Sequence, residues 1–472
     1  TALSQDFIAV DDNNKGVTQD GTVLYPYASL QSAINAASSG DSIRVAGGIY
    51  LESLEIRNKQ LHLYGGYTGA ESAAYQSGSG GDFTSRNLEN SFSRLQGDGS
   101  APVILLVLDQ TRGSSIDGFV ITDGNRGIVL DSDETWPYLS DITITNNLIE
   151  YNQSDGFGGG LFLSGQRITL KNNLIRNNSA GFGAGLAGSV INLQMTNNHI
   201  IDNQIQNDHG GGMFMTATGR IDSNLFQGND VGTLAGYGWG GGAIIIGRVE
   251  DDNGSLVNEP VLLSNNTFTG NHAESQGGGI FIDEGAMAVL QNNLVVRNTS
   301  GEGGAGIYVD GAGTSDHSDL RSEATIINCT VADNASSGYD GNGLMVQYSD
   351  VTVTNSLFWG NGDDFSVVDD EHGVLGTLSV NYSLSDEIFS GMGNVTVDPL
   401  FVSSSGGDYH LRSTTGRWNV VTETWTQDSV QSPAIDAGDP ASDYSLEPLE
   451  NGGRINMGAY GNTVEASQSP RN

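Results

Sequence analysis

Asn292-Asn293-Leu294-Val295-Val296-Arg297-Asn298, followed after a short turn by Gly304-Ala305-Gly306-Ile307-Tyr308-Val309, decides the fold, because both halves recur along the chain. The first half has the form Asn-Asn-x-apolar-x-x-Asn. It returns with limited variation, closing at Asn152, Asn178, Asn203, Asn229, Asn271, Asn298, Asn334 and Asn361. The intervals between these asparagines are 26, 25, 26, 42, 27, 36 and 27 residues. Gly158-Gly159-Gly160-Leu161-Phe162-Leu163 and Gly277-Gly278-Gly279-Ile280-Phe281-Ile282 are further copies of the second half. A third stretch, such as Ile142-Thr143-Ile144-Thr145, precedes the asparagines and alternates as strands do. Three short strands in about 26 residues make one coil of a solenoid. A single coil cannot bury its apolar side, and stacking at roughly 4.8 Å per coil makes the core continuous. The closing asparagines are then predicted to stack and to bond to one another along the ladder.

The ends read as caps. Ala28-Ser29-Leu30-Gln31-Ser32-Ala33-Ile34-Asn35-Ala36-Ala37 has the pattern of a short amphipathic helix that plugs the first coil. Gly40 to Val45 and Leu61 to Tyr67 read as early strands, and residues 68–100, rich in Ser, Gly and Asn, as a long excursion. The register is lost near 398. The expected organisation is therefore an N-terminal cap with first coils over 1–100, a core over 101–397 and an irregular C-terminal cap over 398–472, all in one solenoid domain.

Composition narrows the function. The 472 residues carry 19 basic and 56 acidic side chains, a formal charge of −37. That balance argues against nucleic acid and anionic membranes as partners, and it suits solubility or divalent cations. The three lysines are Lys15, Lys59 and Lys171, and the lone Cys329 excludes an intrachain disulfide. No run of 18 apolar residues is present to span a membrane as a helix. Thr1-Ala2-Leu3 does not begin a signal peptide, so the expectation is a mature or trimmed chain.

Phe226-Gln227-Gly228-Asn229, Phe268-Thr269-Gly270-Asn271 and Phe358-Trp359-Gly360-Asn361, with the Gly-Gly-(Ala/Gly)-Ile steps, resemble the repeats of chlamydial polymorphic outer-membrane proteins. Those are surface adhesins whose autotransporter barrel has no counterpart here. The segment through Tyr67 resembles the opening of bacterial right-handed parallel β-helix proteins of pectate-lyase-like fold. Asp398-Pro399-Leu400-Phe401, Ser432-Pro433-Ala434-Ile435-Asp436-Ala437-Gly438-Asp439 and Asn451 to Gly461 are similar to the C-terminal runs of large extracellular β-helix proteins. The resemblance covers nearly the whole chain. It implies an all-β right-handed parallel β-helix in a secreted or cell-surface setting, and it fixes no activity.

Reading the glycine-rich strand by columns suggests where function sits. Its fourth and sixth positions, such as Ile280 with Ile282, are expected inside. Alternation then turns the third, fifth and seventh outward. The third column is nearly all glycine (Gly160, Gly279, Gly306). The fifth is bulky, with Phe162, Phe214, Phe281, Tyr308 and Met345. An apolar stripe over a glycine floor suggests a covered face: a sugar chain, a protein partner, a second copy of this chain, or an insertion of the same chain folded over it. In the seventh column Asp283 and Asp310 fall in consecutive coils, roughly 5 Å apart by the rise of a coil. Such a pair suits a glycosidase acid pair or an oxygen-ligand calcium site, with two solvated aspartates as the plain alternative. The extra residues of the 42- and 36-residue intervals fall in 248–260 and 311–324, after this same strand, and a third insertion runs from Asp131 to Ser140. Loops gathered at one edge wall a binding face. Tyr237 and Trp239 approach that face from the strand's other end, as aromatics able to clamp a sugar.

The leading expectation is thus non-catalytic: a β-helix that holds a glycan or a protein partner through Phe162, Phe214, Tyr237, Trp239, Phe281 and Tyr308. The runner-up is a carbohydrate-active enzyme with Asp283 and Asp310 as catalytic or calcium-binding carboxylates. A lyase of this fold needs a basic residue, and after Lys171 the candidates in the coils are Arg220, Arg248, Arg297 and Arg321. A structural part of an extracellular assembly is the third expectation.

Overall fold

The computed structural model describes residues 6–16, 18–107, 112–131, 141–232, 240–249, 257–283, 285–311, 320–338, 341–369 and 374–470. These residues form two compact units. One comprises Thr1–Gly219 with Val249–Val257, and the other Arg220–Arg248 with Asn258–Asn472.

In the first unit the helix Leu30–Ala36 starts at the N-cap Ser29 and buries Leu30, Ala33 and Ile34. The first backbone N–H groups of a helix lack internal partners. Here Glu52 accepts from the N–H groups of Leu30 at 2.8 Å and Gln31 at 3.1 Å. Parallel strands follow in stacked coils: Leu148–Glu150 lies in register with Leu174–Arg176, and that strand with His199–Ile201. Ser179–Phe182 pairs in the same sense with Gln204–His209. Residues 68–100 are not a bare excursion. They contain a helix, Ser72–Ser77, and the strand Asp82–Arg86, which returns antiparallel to His62–Gly69.

The second unit repeats the plan. Ile280–Ile282 pairs in parallel with Ile307–Asp310, and that strand with Leu344–Gln347. Thr267–Thr269 pairs with Leu294–Val296, and that strand with Thr330–Ala332. The last parallel strand of the coils is Thr377–Asn381. Regular coils therefore end somewhat before 398, and the remainder forms short antiparallel pairs such as Phe401–Ser403 with Asp408–Leu411.

The repeated asparagines explain the coil's corners. The first of each Asn-Asn pair is left-handed, as at Asn172 (φ 55°), Asn265 (φ 54°) and Asn292 (φ 54°). Asparagine tolerates that region better than other residues with a Cβ. The closing asparagine follows a second left-handed residue, for example Asn177 (φ 52°), Gly270 (φ 64°) or Arg297 (φ 58°), and turns inward. Asn271, Asn298 and Asn334 are each at most 1% exposed. Asn298 Nδ2 and backbone N–H both donate to Asn334 Oδ1, at 3.0 and 2.9 Å. Nδ2 also donates to the carbonyl of Phe268 at 3.0 Å. The side-chain amide of Asn298 is thereby satisfied out of reach of water. A second ladder runs through Asn224, Asn266 and Asn293. Cys329 takes the next place in it, and burial pushes its thiol up to about 12.

Columns four and six point inward as expected: Ile280, Ile282, Ile307 and Val309 are all 0% exposed. The glycine column does not form a solvent-facing floor. A Cβ at Gly279 would stand 2.5 Å from the Gly306 carbonyl oxygen, 3.0 Å from Asn298 Nδ2 and 3.0 Å from Val295 Cγ1. These glycines face the ladder, and only a residue without a side chain fits there.

Candidate functional site

The fifth column divides into two kinds of surface. In the second unit it is closed: Phe281 is 7% exposed, Tyr308 2% and Met345 7%. Their rings are in contact, with centroids of Phe281 and Tyr308 4.8 Å apart. A Cβ at Gly240 would lie 2.4 Å from Phe281 Cδ1, so that glycine's backbone rests on the ring. The Tyr308 hydroxyl donates to Gln347 Oε1. The expectation that Phe281 and Tyr308 present their rings to a ligand is corrected here, because local backbone and neighbouring coils cover them. The C-terminal segment does not. It crosses a different corner, where Asn292 Nδ2 donates to the carbonyls of Ala459 (2.9 Å) and Gly461 (2.7 Å), and the Ala459 N–H donates to Thr330 Oγ1 (2.9 Å).

In the first unit the column is partly exposed at two positions and buried at Val129 and Ala187. Phe162 and Phe214 are partly exposed, and Ala187 lies between them in the ladder. Three further rings join them from the neighbouring turn and strand. Phe157 is 42% exposed and stacks on Phe182 at 4.6 Å. Phe182 lies 5.7 Å from Phe214, and His209 stacks on Phe214 at 6.0 Å. Phe157, Phe182 and His209 fill successive coils in register. The repeat reading missed all three, because they come from a turn and a short strand with no long apolar period. The signal available was an aromatic or histidine directly before the glycine step, at Phe157-Gly158, Phe182-Gly183 and His209-Gly210.

This aromatic face adjoins a groove of about 830 Å³ on the same unit. Arg126 links the two: its Nε donates to the Phe157 carbonyl at 2.8 Å, and its guanidinium lies 5.5 Å from the Phe162 ring centre. Asp98, Asp123, Asp155, Gln153 and the 56%-exposed Tyr151 line the groove. Asn125, also in its wall, has a buried Oδ1 with no hydrogen-bond donor, although its Nδ2 donates to the Ser100 carbonyl. The groove offers aromatic surface and hydrogen-bonding side chains.

Asp283 and Asp310 sit in adjacent coils, each partly exposed, two residues past the paired Phe281 and Tyr308. Burial, then the charges of Asp310 and Asp283, hold the Tyr308 phenol far above its ordinary range, so both carboxylates lie near one hydroxyl. Among the described residues no three His, Cys, Asp or Glu side chains converge as a metal site would. Of the arginines considered for lyase chemistry, Arg220 pairs with Asp222 and Arg321 with Asp350, both at 2.8 Å. Arg297 lies against the Tyr409 ring at 5.9 Å. Tyr237 and Trp239 lie outside the described residues, as do 132–140, 250–256 and 312–319 of the insertions. No helix among the described residues is long and apolar enough to cross a membrane.

The family comparison agrees with this architecture. No curated protein matches the chain. Solved structures similar to it include the pectate lyase Pel9A, at 13% identity and a TM-score of 0.40, covering 99% of this chain and 98% of that one. A pectin methylesterase in complex with a hexasaccharide matches at 10% identity and a TM-score of 0.31, covering 84% and 94%. XylC in complex with xylose matches at 10% and 0.35, covering 84% and 87%. The family profile described as the right handed beta helix region matches residues 89–249 and 251–381, more than half of the sequence. The chain belongs to the right-handed β-helix family.

Proposed function

We propose that this β-helix is a secreted or cell-surface protein that binds a glycan across the open aromatic face of its first unit. The observation that carries this reading is the cluster of Phe157, Phe162, Phe182, His209 and Phe214 beside a polar groove. Sugar rings have apolar C–H faces and polar edges. A platform of aromatic rings supplies the first complement, and Asp, Asn, Gln and Arg side chains supply the second. A protein partner would bury the same rings, so binding is to be measured with soluble polysaccharides by calorimetry or affinity electrophoresis. Phe157→Ala with Phe214→Ala is expected to weaken glycan binding roughly tenfold or more, about 1.4 kcal/mol. Unchanged affinity, or no binding to any glycan tested, removes this reading.

A second reading has its own observation, the two carboxylates beside the Tyr308 phenol. In it Asp283 and Asp310 hydrolyse a glycosidic bond, one as acid and one as nucleophile, or they contribute oxygens to a calcium ion. Turnover of polysaccharide that persists in Asp283→Asn and Asp310→Asn variants rejects the enzymatic form. A thermal midpoint that calcium does not raise in the wild type rejects the metal form.

A further inference from the structure

Three titratable side chains in the second unit's C-terminal part are packed in a way that favours the proton-bound form. Asp364, 0% exposed, ends the asparagine ladder: Asn361 Nδ2 donates to its Oδ1 at 2.8 Å, and the Asp386 backbone N–H donates to Oδ2 at 2.9 Å. The carboxylates around it are those of Asp386, whose side chain touches it, and of Asp363 and Glu387. The Glu387 side chain accepts from the Asp364 N–H at 2.8 Å and meets that of Asp363. Glu447 is 6% exposed. Its Oε1 accepts from the N–H groups of Asn456 and Asn462, at 2.8 and 3.0 Å, while Oε2 is buried with no donor. The charged group facing it is Asp436. The His410 ring, 1% exposed, stacks on Tyr460 at 3.6 Å. Its Nδ1 lies 2.8 Å from Asp408 and its Nε2 3.4 Å from Glu465, so it ties the pair of strands around 401–411 to the closing segment. Arg417 adds its charge near Asp408.

We infer that the C-terminal cap is locked by protons: with Asp364 and Glu447 neutral and His410 bridging two carboxylates it stays closed, and it loosens as pH rises from the acid range to neutrality. The apolar cluster it seals contains Leu357, Leu384, Leu411, Ile435 and Met457. Burial, with the Asp386 charge, pushes the Asp364 carboxyl well above its ordinary range, and burial pushes Glu447 up to about 7. Burial alone would lower His410, but Asp408 and Glu465 outweigh it and hold the imidazole above 6.5. All three groups therefore bind protons more tightly folded than unfolded. Such stability is complete below the unfolded value and is lost as pH rises through the folded one. For Glu447 that window runs from about 4.5 to about 7. Asp408, held below its usual value by His410 despite its own burial, acts oppositely and limits the locked range on the acid side.

The test is hydrogen exchange of the full chain between pH 5 and 9. The readout is the ratio of exchange in Asp408–Leu411 and 434–459 to exchange in the first-unit strand Leu186–Thr196, which cancels intrinsic chemistry. That ratio should rise about a hundredfold across the range. Glu447→Gln, which keeps an oxygen acceptor without a proton to lose, should flatten the rise. If it does not fold, Asp364→Asn carries the same comparison. A ratio independent of pH in the wild type, or a full rise in the variant, overturns the proposal.

Discussion

The open and closed faces of the fifth column occupy the same place in the repeat, yet one offers rings to solvent and the other hides them. Phe162 and Phe281 both sit two residues after an inward glycine, in strands that pair in parallel with the next coil. Alternation treats them alike. What separates them is the covering. Gly240 lies on the Phe281 ring, and Tyr308 packs beside it. In the first unit Phe157, Phe182 and His209 pack beside Phe162 and Phe214 as a partly exposed cluster. Strand periodicity assigns a side chain to a face. Whether that face meets water depends on residues far along the chain or on neighbouring turns.

The largest effect should come from what the two regions share. Asn178 and Asn298 hold the same ladder position in different units, each with paired donors and a buried carbonyl. Replacing either by alanine takes the side-chain acceptor from the backbone N–H of the preceding asparagine, one of the acceptors from that asparagine's Nδ2, which keeps a carbonyl, and the side-chain donor from one buried carbonyl. Each buried orphan costs about 1–3 kcal/mol. We expect Asn178→Ala and Asn298→Ala each to lose about 4 kcal/mol in urea denaturation, and to do so equally. A loss below about 1 kcal/mol at either site would mean that water reaches the ladder, and the two regions would then differ in their corners as well as their faces.

That ladder was legible in the sequence because Asn298 recurs at near-constant intervals beside apolar strand residues. Ile280 and Ile282 were legible for the same reason. Gly279 was not. It precedes the strand Ile280–Ile282, so the two-residue alternation does not extend to it, and its direction follows from close packing against Asn298. Phe157 and Phe182 carried no periodic signal, since the turn and the four-residue strand that hold them are too short to establish one. Cys329 stands where the second asparagine of a pair would, and its place in the ladder could have been read from Asn328-Cys329-Thr330. The carboxyls of Asp364 and Glu447 were out of reach of pattern reading altogether. Their environment is assembled from segments 22 to 23 residues apart in one case and 9 to 15 in the other, without repetition.

The faces themselves give the smaller effect and the sharper discrimination. Truncating a fully packed ring costs the lost transfer energy and leaves a cavity, whereas truncating a half-exposed ring lets water in at little cost. Phe281→Ala should therefore destabilise the protein by about 3 kcal/mol. Phe157→Ala should cost less than about 1 kcal/mol, because that ring already meets solvent over 42% of its surface. Glycan affinity should move the other way, falling with Phe157→Ala and staying level with Phe281→Ala as long as the protein is folded at the assay temperature. Equal stability losses at the two sites would show that the Phe157 cluster is packed as a core. Equal affinity losses would show that the closed face opens to the ligand, and the column would then be one binding surface in two states instead of a platform in one unit and a seam in the other.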